Sequence, residues 1–323
     1  MARVLVTGGA GFIGSHVADR FLAAGNRVVV IDNLSSGKRD NVPAAAEFHQ
    51  LDIGSAEAAH LVRDGAFDVV AHLAAQIDVR RSVEDPIFDA RVNILGTLNL
   101  AEAVRTSPNA RRTRIVFAST GGALYGDFVT PPSPERSPKD PDSPYGISKL
   151  SVEHYLAYYS RVHGLNTVVL RFGNVYGPRQ DPHGEAGVVA IFCRRLLDGR
   201  PLTVYGDGTQ TRDYIYVGDV ADAFITAAGA ALPAPQRLDT RAFNVGTGVE
   251  TSVIELTELL KQAARRDGRV EFAPKRPGEL ARSVLAPEKA AEQLGWRAAT
   301  SLDRGLAETY AWFATQRTGP ATS

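Results

Sequence analysis

Short runs of β-branched and aliphatic residues alternate with segments of helical periodicity through the first half of the chain. Apolar runs at 3–6, 27–31, 47–51, 67–73, 114–118 and 166–172 have the length of buried strands. Between them, apolar residues recur at helical spacing over 15–24, 56–63, 84–105 and 145–162. Strands that alternate with helices form parallel sheets covered by helices on both faces. The pattern predicts an α/β fold built on a doubly wound parallel sheet.

The regular alternation ends after residue 173, where the predicted elements become shorter. The pattern there indicates helices over 187–197, 219–231 and 252–266, with extended segments at 201–205 and 243–245. We interpret residues 1–173 as the large domain and expect 217–240 to return to it. Residues 174–216 and 241–323 are predicted to form a smaller α/β domain.

The composition excludes several classes of protein. In 323 residues, Lys plus Arg and Asp plus Glu are equal at 36 each, so no overall field attracts nucleic acid or an anionic membrane. The single cysteine, Cys193, excludes an internal disulfide and a multi-thiolate site, and no metal is predicted. No apolar run reaches the roughly 18 residues of a membrane span, and the run before Thr7 is too short for a signal peptide. We therefore expect a cytoplasmic protein.

A glycine-rich turn follows the first predicted strand. The sequence from Thr7 to Gly14 reads TGGAGFIG and carries glycines at 8, 11 and 14 before a helix. Such glycines allow a tight turn and close approach of the backbone to a pyrophosphate at the helix N-terminus. The next strand ends at Asp32, where a carboxylate accepts hydrogen bonds from adenosine ribose hydroxyls and favours NAD over NADP. We predict a dinucleotide-binding Rossmann domain.

Three later positions extend this prediction along the sheet edge. Asp52 and Ile53 follow a strand and could meet an adenine, although Asp52 could instead cap a helix. The small residues of 73–76 let the backbone pass close to a ligand. Asn93, within the predicted helix 84–105, could hold a neighbouring loop near the cofactor, or could be an ordinary solvated position.

Tyr145 and Lys149 are four residues apart on a predicted helix and would share one face. A phenol with an ordinary pKa of about 10 is a poor base at neutral pH unless a cation stabilises the phenolate. The lysine supplies such a cation, although an accidental surface pair has the same spacing. About 25 residues upstream, Ser119 and Thr120 put hydroxyls at the carboxyl end of a strand, where parallel sheets bind ligands.

The segment 206–214 combines a flexible, glycine-containing backbone with Arg212 and the aromatic Tyr214, and Tyr205 precedes it. Aromatic rings stack on bases and guanidinium groups pair with phosphates, so this loop suits a nucleotide. A surface hairpin explains its glycines but not the arginine beside an aromatic residue. A second basic turn follows at 275–279.

The glycine loop, Asp32, the strand-end hydroxyls and the Tyr145–Lys149 pair together resemble the extended short-chain dehydrogenase/reductase superfamily. Within it, the chain is similar over nearly its full length to NAD-dependent nucleotide-sugar 4-epimerases of the UDP-glucose/UDP-galactose type. The resemblance implies epimerisation at C4 of a UDP-sugar, either glucose/galactose or glucuronate/galacturonate, through a transient 4-keto intermediate. A UDP-glucuronate decarboxylase or another NDP-sugar oxidoreductase is an alternative, and an NAD-binding sensor module is the non-catalytic one.

The resemblance implies a role for each group of the pair and its neighbours. Tyr145 would abstract the proton of the sugar 4-hydroxyl while the C4 hydride passes to NAD, and Thr120 would hydrogen-bond the same oxygen. Lys149, with the cationic nicotinamide, would lower the tyrosine pKa and bind the nicotinamide ribose. One residue is inserted in this loop relative to the commonest epimerase pattern, so Ser119 stays an alternative to Thr120.

Two sets of binding residues follow from the resemblance. Those assigned to NAD are Gly8, Gly11, Phe12, Ile13, Gly14, Asp32, Asn33, Ser35, Ser36, Gly37, Asp52, Ile53, Leu73, Ala74, Ala75, Gln76, Asn93, Tyr145 and Lys149. Those assigned to the UDP-sugar in the smaller domain are Asn174, Val188, Tyr205, Arg212, Tyr214, Arg276 and Glu279. Arg212 and Arg276 would clamp the diphosphate. The helices 84–105 and 145–162 would pair with a second copy in a four-helix bundle, so a homodimer is expected.

The resemblance also bears on the sugar and on the reaction. Sugar-nucleotide 4,6-dehydratases carry an acidic pair directly after the active-site threonine, whereas Gly121 and Gly122 occupy those places here, which argues against dehydration. Ser283 falls where the family controls pocket width, and a small residue would leave room for a bulky C2 substituent. A guanidinium aimed at C6 would favour glucuronate; the residues that would border the sugar are Arg179, His183, Glu185, Arg194 and Arg195.

Overall fold

The computed structural model describes residues 1–126, 129–183, 187–275 and 280–316. Most of the strands are short, and the longest have seven residues. In chain order they are β1 (Arg3–Thr7), β2 (Arg27–Asp32), β3 (Glu47–Gln50), β4 (Val69–His72), β5 (Arg114–Thr120), β6 (Asn166–Phe172), β7 (Asn174–Tyr176), β8 (Leu202–Tyr205), β9 (Thr211–Arg212), β10 (Tyr214–Tyr216), β11 (Ala242–Val245), β12 (Thr251–Ser252), β13 (Val270–Ala273) and β14 (Arg282–Ser283).

Seven of these strands form one parallel sheet in the order β11-β6-β5-β4-β1-β2-β3. The chain builds outward from β1 to β3 and then crosses to the other side of β1 with β4. The carboxyl ends of β1 and β4 therefore border the point where the strand order reverses, and parallel sheets bind ligands in the crevice at such a point. The predicted doubly wound Rossmann fold is confirmed, and its predicted strands agree within two residues.

Helices cover both faces of this sheet. They are α1 (Phe12–Ala23), α2 (Ala56–Asp64), α3 (Val79–Glu84), α4 (Pro86–Ala90), α5 (Gly96–Arg105), α6 (Pro144–His163), α7 (Val188–Asp198), α8 (Val217–Gly229), α9 (Val253–Ala264), α10 (Glu288–Leu294) and α11 (Leu302–Thr315). A π-helical turn spans Arg91–Leu95, and 3-10 turns span Arg39–Asn41 and Leu238–Arg241. Across the described ranges, none of these helices combines the length and the apolar character that crossing a bilayer requires.

The single helix predicted over 84–105 is wrong, because the chain breaks at Asp85 and Pro86. Proline has no N–H with which to continue α3. The side chain of Asp85 accepts a hydrogen bond from the amide of Phe88 at 2.9 Å and caps α4. The π-helical turn then joins α4 to α5 and contains the buried Asn93. Turns of this kind interrupt helices frequently at functional sites.

Alternate residues of the strands pack into separate hydrophobic cores on the two faces of the sheet. Val4 and Val6 pack with α1 and α8, whereas Leu5 packs with α2, α5 and α6 on the opposite face. A third hydrophobic cluster joins α7, α9 and α11 with β8. The third cluster contains residues of the predicted smaller domain only, from Tyr176 to Phe313.

β11 corrects one boundary of the predicted division. The sequence pattern assigns 241–323 to the smaller domain, but Ala242–Val245 pairs with β6 at the edge of the large sheet. All four residues are buried, and Phe243 and Val245 belong to the same core as α1 and α8. So short an extended segment carries no sign in its sequence of which sheet it joins. The rest of the division stays a prediction.

Candidate active site

The glycine loop leaves no room for side chains between β1 and α1. Gly8 has a φ of +72°, and a Cβ there would lie 2.7 Å from the amide nitrogen of Ala74. A Cβ on Gly14 would lie 2.1 Å from the carbonyl oxygen of Gly8. α1 begins at Phe12–Ile13 directly after Gly11, so its free amides and the positive end of its dipole lie at this narrow cradle. The cradle fits the pyrophosphate of a dinucleotide.

Asp32 lies beside this cradle at the end of β2 and is buried. Its Oδ2 accepts a hydrogen bond from the amide of Ala10 at 3.0 Å, and its Oδ1 accepts one from the amide of Leu34 at 2.8 Å. A Cβ on Gly37 would lie 3.0 Å from the same Oδ1, so the loop passes close over the carboxylate. A carboxylate has about four acceptor positions. Asp32 therefore keeps capacity for the ribose hydroxyls of the predicted cofactor.

The ends of β2 and β3 are joined by a hydrogen bond of 2.9 Å from Asn33 Nδ2 to Asp52 Oδ2. Asp52 does not cap α2, because Ser55 is the N-cap of that helix and accepts a hydrogen bond with its own Oγ. Ile53 is buried beneath this edge. Asp52 is exposed and available to a ligand. The predicted cofactor-binding residues Asn33, Ser35 and Ser36 are exposed as well.

The side chain of Asn93 holds the loop 73–77 through hydrogen bonds to the backbone of Gln76. Its Oδ1 accepts a hydrogen bond from the amide of Gln76 at 2.8 Å, and its Nδ2 donates to the Gln76 carbonyl at 2.9 Å. The Nδ2 also donates to Asp89 Oδ1 at 3.0 Å. Because Asn93 is 3% exposed, it is not a solvated helix position, and its amide supports the loop instead of facing a ligand. The side chain of Gln76 also turns inward, and the loop offers its backbone and the residues Leu73, Ala74 and Ala75.

His72 continues this buried chain of hydrogen bonds to β1. Thr7 Oγ1 accepts from the amides of Leu73 and Ala74, so its own proton is donated to His72 Nδ1 at 2.7 Å. His72 Nε2 therefore carries the ring proton and donates to Thr97 Oγ1 at 2.8 Å. Burial, with Lys149 nearby, lowers the pKa of His72 to about 3 and keeps the ring neutral. His72 is a packed strand-end residue, as predicted.

Tyr145 and Lys149 occupy one side of the first turns of α6. The helix begins at Pro144, and Ser143 Oγ accepts a hydrogen bond from the amide of Gly146 as its N-cap. Lys149 is 4% exposed, and its Nζ donates to the carbonyl of Ala118 at 3.0 Å. The same Nζ lies 5.8 Å from the centre of the Tyr145 ring. The predicted shared face is present, and the lysine is no surface residue.

Burial governs the proton affinity of both groups. It lowers the pKa of Lys149 to about 8, although the carboxylates of Asp89 and Glu153 oppose the change. Burial, together with Asp89, raises the pKa of the Tyr145 phenol above its ordinary value. The expectation that Lys149, together with the cationic nicotinamide, lowers the pKa of the tyrosine stays a prediction.

The structure separates the two hydroxyls at the end of β5. Ser119 is buried, and its Oγ donates to Glu153 Oε1 at 2.6 Å. Thr120 is half-buried, and its Oγ1 accepts a hydrogen bond from the amide of Ala123 at 3.2 Å, which leaves its proton free to be donated. Successive strand residues point to opposite faces. The geometry therefore favours Thr120 over Ser119 as the hydroxyl beside a substrate.

Gly122 lies where three of the singled-out side chains converge. The atoms nearest to a Cβ built there would be Asn174 Oδ1 and Ser283 Oγ, each at 3.8 Å, and Thr120 Oγ1 at 4.0 Å. These are ordinary contact distances. Polar atoms from the end of β5, the start of β7 and β14 therefore surround Gly122, and a Cβ would fit among them.

Gly121, by contrast, lies directly against the side chain of Leu285. A Cβ there would lie 2.5 Å from the side chain of Leu285. A larger side chain at 121 would therefore require the end of the Leu285 side chain to move.

Two small sheets gather the predicted nucleotide residues. β7 pairs with β10, which puts Asn174 beside Tyr214. β9 pairs with β12 and β14, which puts Arg212 beside Ser283. Between β9 and β10, the buried carboxylate of Asp213 accepts hydrogen bonds from the hydroxyl and amide of Thr247 and from the amides of Gly248 and Leu285. One carboxylate thus ties this loop to two other segments.

The ring of Tyr214 does not fit the predicted stacking on a base, because it is buried in the third hydrophobic cluster. An aromatic residue after Arg212 suits a stacking surface and a core equally, so the sequence does not separate them. Tyr205 and Val188, at the end of β8 and the start of α7, are half-buried and remain candidates.

Arg276 and Glu279 lie outside the described residues. Lys275 directly precedes them and lies against the segment 206–214, since a Cβ on Gly206 would be 3.6 Å from the Lys275 Cβ. Arg212 donates from one terminal nitrogen to the Thr211 carbonyl at 2.8 Å. The predicted diphosphate clamp stays a prediction.

The three arginines considered for a C6 carboxylate have protein partners. Arg179 lies 2.7 Å from a carboxylate oxygen of Asp19 on α1, and Arg194 lies 3.3 Å from Asp198. Arg195 donates to the carbonyl of Pro201 at 2.9 Å and to the Thr203 hydroxyl. Of the other two residues considered, His183 is exposed and Glu185 lies outside the described residues.

Sequence reasoning missed the buried polar residues behind the Tyr145–Lys149 pair. Asp89 is fully buried and accepts a hydrogen bond of 2.6 Å from Ser148 Oγ. Glu153 is paired with Arg171 at 2.5 Å. One sequence signal was present: polar residues recur every four positions at 89, 93 and 97 within an otherwise mixed helix.

Comparisons with known proteins agree with this geometry. Residues 4–246 match the NAD dependent epimerase/dehydratase family. A UDP-glucose 4-epimerase of Mycolicibacterium smegmatis is 47% identical over 316 residues, which cover 96% of this chain and 98% of the relative. The solved UDP-glucose 4-epimerase of Thermotoga maritima, with UDP-glucose, is 44% identical with a TM-score of 0.91 and covers 98% of this chain and 99% of its own.

A second solved structure is that of a UDP-glucose 4-epimerase of Thermus thermophilus in complex with NAD. It is 46% identical, with a TM-score of 0.87, and the likeness covers 97% of this chain and 99% of that one. Such identity over nearly the whole length exceeds what a shared fold alone requires. The chain belongs to the NAD-dependent epimerase/dehydratase family, within the extended short-chain dehydrogenases/reductases.

Proposed function

We propose that this protein is an NAD-dependent isomerase that epimerises a UDP-sugar at C4. The observation that carries the proposal is the position of Tyr145 and Lys149 at the sheet edge that also holds the glycine cradle and Thr120. The UDP-glucose 4-epimerases of M. smegmatis, T. maritima and T. thermophilus support it.

Tyr145 is the group that moves the proton of the sugar 4-hydroxyl. When bound, NAD supplies a reversible hydride acceptor and a cationic ring. Within the described residues the phenol oxygen has no protein hydrogen bond, so it is available to a substrate hydroxyl. Because burial raises the pKa of Tyr145 in the chain alone, the added positive charge of the cofactor is needed to bring that pKa toward neutrality.

Lys149 and Thr120 hold the reacting groups in place. Lys149 is anchored by the Ala118 carbonyl and keeps further N–H donors for a ribose hydroxyl. Thr120 can donate its hydroxyl proton to the sugar oxygen from which Tyr145 takes a proton. Epimerisation then requires the 4-keto sugar to present its other face, and the absence of a side chain at Gly122, close to Thr120, favours that movement.

We assign the UDP-sugar to the space bounded by Asn174, Arg212 and Ser283. The pairing of β7 with β10 and of β9 with β14 supports this assignment by bringing the three segments together. Arg212 is assigned to the diphosphate, with Arg276 as its partner. Ser283 has a short side chain, and we assign it the tolerance of a bulky substituent at sugar C2.

The contacts of Arg179, Arg194 and Arg195 favour a sugar that is neutral at C6. Each guanidinium lies against a carboxylate or a carbonyl of the protein. A sugar carboxylate at C6 would lose its hydration on binding, and a cation of the protein would be needed to compensate for that loss. We therefore propose UDP-glucose and UDP-galactose ahead of the uronates, and epimerisation ahead of decarboxylation.

The test is incubation of the purified protein with UDP-glucose, UDP-galactose, UDP-glucuronate and the N-acetyl analogues, followed by NMR. We expect interconversion at C4 without net NADH formation, fastest for the neutral hexoses. Release of carbon dioxide, or stoichiometric NADH, would contradict the proposal. Tyr145→Phe should lower kcat by about 10²–10⁴-fold, the usual contribution of an acid–base group. A decrease below about tenfold in a folded variant would remove Tyr145 from this role.

A homodimer is the second part of the proposal. Apolar side chains are exposed along α4, the π-helical turn and α6, where a soluble monomer would carry polar ones: Ile87, Leu95, Ile147, Tyr155, Tyr158 and Val162. Two copies of these helices would bury the patch in a four-helix bundle. Ile147→Glu should convert a dimer to a monomer in sedimentation, whereas Val249→Glu, at an exposed apolar residue elsewhere, should not. A wild-type monomer at micromolar concentration would contradict the proposal.

We propose a cytoplasmic location for this activity. The one thiol, Cys193, is buried and unpaired, which suits a reducing compartment, although it does not require one. Fractionation of the native cells, with the protein detected by antibody, tests the location.

A further inference from the structure

Three segments of the chain meet at one buried carboxylate, that of Asp89 on α4. Its Oδ1 accepts hydrogen bonds of 3.0 Å from Gln76 Nε2 and from Asn93 Nδ2. Its Oδ2 accepts one of 2.6 Å from Ser148 Oγ. Ser148 lies on α6 directly before Lys149. Asp89 therefore connects the loop 73–77, which we call the cofactor loop, with the π-helical turn and with α6, the helix that carries Tyr145 and Lys149.

A fully buried carboxylate is costly unless it is hydrogen-bonded, and the three side chains that donate to Asp89 within the described residues are all neutral. An asparagine would make the same number of contacts without that cost. Since an asparagine would serve the fold equally well at this position, the presence of a carboxylate points to a use for its negative charge.

We propose that Asp89 is a positioning residue: its carboxylate holds α6 against the cofactor loop at Gln76 and supplies a buried negative charge beside Tyr145 and Lys149. The proposal rests on the proposed function, in which these two residues act at the sugar 4-hydroxyl. It assigns Asp89 no contact with substrate or cofactor.

The positioning part follows from the contacts of Gln76. Its Nε2 donates to Asp89 and to the carbonyl of Asp78, and its Oε1 accepts from the amide of Asp78. Its backbone is held on both sides by Asn93. The cofactor loop and α6 therefore share one anchor, and a shift of α6 would require Asp89 to release either Ser148 or Gln76.

The charge acts on both members of the pair in the same direction. Asp89 raises the pKa of Tyr145 and that of Lys149. One other titratable group acts on Lys149, namely Glu153 from its own helix. Lys149 in turn helps to lower the pKa of His72 on β4, which stays neutral. Without the Asp89 charge, both pKa values fall, so the phenolate forms at lower pH.

Asp89→Asn removes the charge and keeps the shape. The amide oxygen can still accept from Gln76 and Asn93, and the amide nitrogen can donate to Ser148 Oγ, which then acts as acceptor. In the holoenzyme we expect the acid limb of kcat/KM to move to lower pH by about one unit. We expect KM to stay within about twofold, since no substrate contact is lost. Asp85→Asn is the matched control, because it removes the exposed carboxylate that caps α4 and should leave the limb in place.

A readout that needs no turnover separates this proposal from the proposed function. Ultraviolet titration of tyrosinate, taken as the difference between each protein and its Tyr145→Phe derivative, gives the pKa of Tyr145 alone among the ten tyrosines. A lower pKa in Asp89→Asn than in the wild type supports the role of Asp89 even if every tested UDP-sugar fails to react. If the wild type and Asp89→Asn have the same pKa of Tyr145 and the same acid limb of kcat/KM, the proposal is overturned.

Ser148→Ala tests the positioning part and serves also if Asp89→Asn does not fold. This substitution removes the hydrogen bond from Ser148 on α6 to Asp89, while the negative charge of Asp89 stays. We expect kcat to fall about tenfold, as for a misplaced catalytic group, while bound NAD is retained. The control is Ser151→Ala, whose hydroxyl bonds only its own helix at the Ile147 carbonyl in the described structure. A Ser148→Ala enzyme with wild-type kcat would overturn the proposal.

Discussion

Two buried carboxylates act on Lys149, and their surroundings differ. Glu153 lies 2.5 Å from the guanidinium of the fully buried Arg171 and accepts a hydrogen bond from Ser119. Asp89, among the described residues, accepts from the neutral side chains of Gln76, Asn93 and Ser148. The first carboxylate has a cation in direct contact. The second has none among these contacts.

The difference separates stability from chemistry. A charge that is cancelled at contact distance has a weak field farther away, whereas an uncancelled buried charge acts over several ångströms. Asp89 contributes to the raised pKa of Tyr145, and Glu153 is absent from the causes of that shift. Both carboxylates are hidden from solvent and act on Lys149, but only Asp89 also acts on Tyr145, whereas Glu153 joins β6 to α6 through Arg171.

Breaking the ion pair should give the largest effect on stability. Arg171→Met leaves Glu153 buried without its cation, so we expect the free energy of unfolding to fall by about 3–5 kcal/mol. Urea denaturation of the two proteins at one pH measures the change. Arg20→Met, which breaks the exposed pair with Asp222, is the control and should cost less than about 1 kcal/mol. Similar losses in both variants would contradict a structural role for the Arg171–Glu153 pair.

A smaller effect is expected from the titration of Lys149, on which both carboxylates act. Its pKa is about 8 in the folded chain, below its ordinary value of 10.5, so the unfolded chain binds more protons between these pH values. Stability therefore rises with pH in this window. Relative to Lys149→Met, the wild type without NAD should gain about 2 kcal/mol between pH 7.5 and 9.5.

Urea denaturation of both proteins at the two pH values measures this gain. Titration of Tyr145 does not interfere below pH 10, because burial raises its pKa above that value. A flat difference between wild type and Lys149→Met would show that the lysine keeps an ordinary pKa.

The smallest effect is expected where the two carboxylates are compared directly. Glu153→Gln should leave the pKa of Tyr145 within about 0.2 unit of the wild type, whereas Asp89→Asn lowers it by about one unit. The same tyrosinate difference titration measures both variants. Equal shifts would mean that the field of Glu153 reaches the phenol despite Arg171, and the comparison would then fail.

The large sheet was predictable from the sequence because its signals are local. Each strand is a short apolar run, and the glycines of 8–14 must lie together whatever the rest of the chain does. Tyr145 and Lys149 were equally readable, since a helix fixes their relation. NAD as the cofactor followed from Asp32 and the glycine loop.

What the sequence could not supply depends on contacts between distant segments. Ser119 and Thr120 are neighbours, and only the packing of β5 against α6 shows which of them meets Glu153. The break at Asp85 and Pro86 was visible as a proline but was outweighed by helical periodicity on both sides. Asp89 required three segments to be placed before its role could be recognised, and β11 required the sheet order.

Gly121 and Gly122 carry a consequence for the evolution of new activities on this chain. The two positions are adjacent, yet a Cβ at 121 requires the end of the Leu285 side chain to move, whereas one at 122 makes only ordinary contacts. A single substitution can therefore introduce a functional group at 122. At 121 the same step also requires the buried side chain of Leu285 to repack. Libraries that vary one residue at a time should therefore yield folded variants more readily at 122 than at 121.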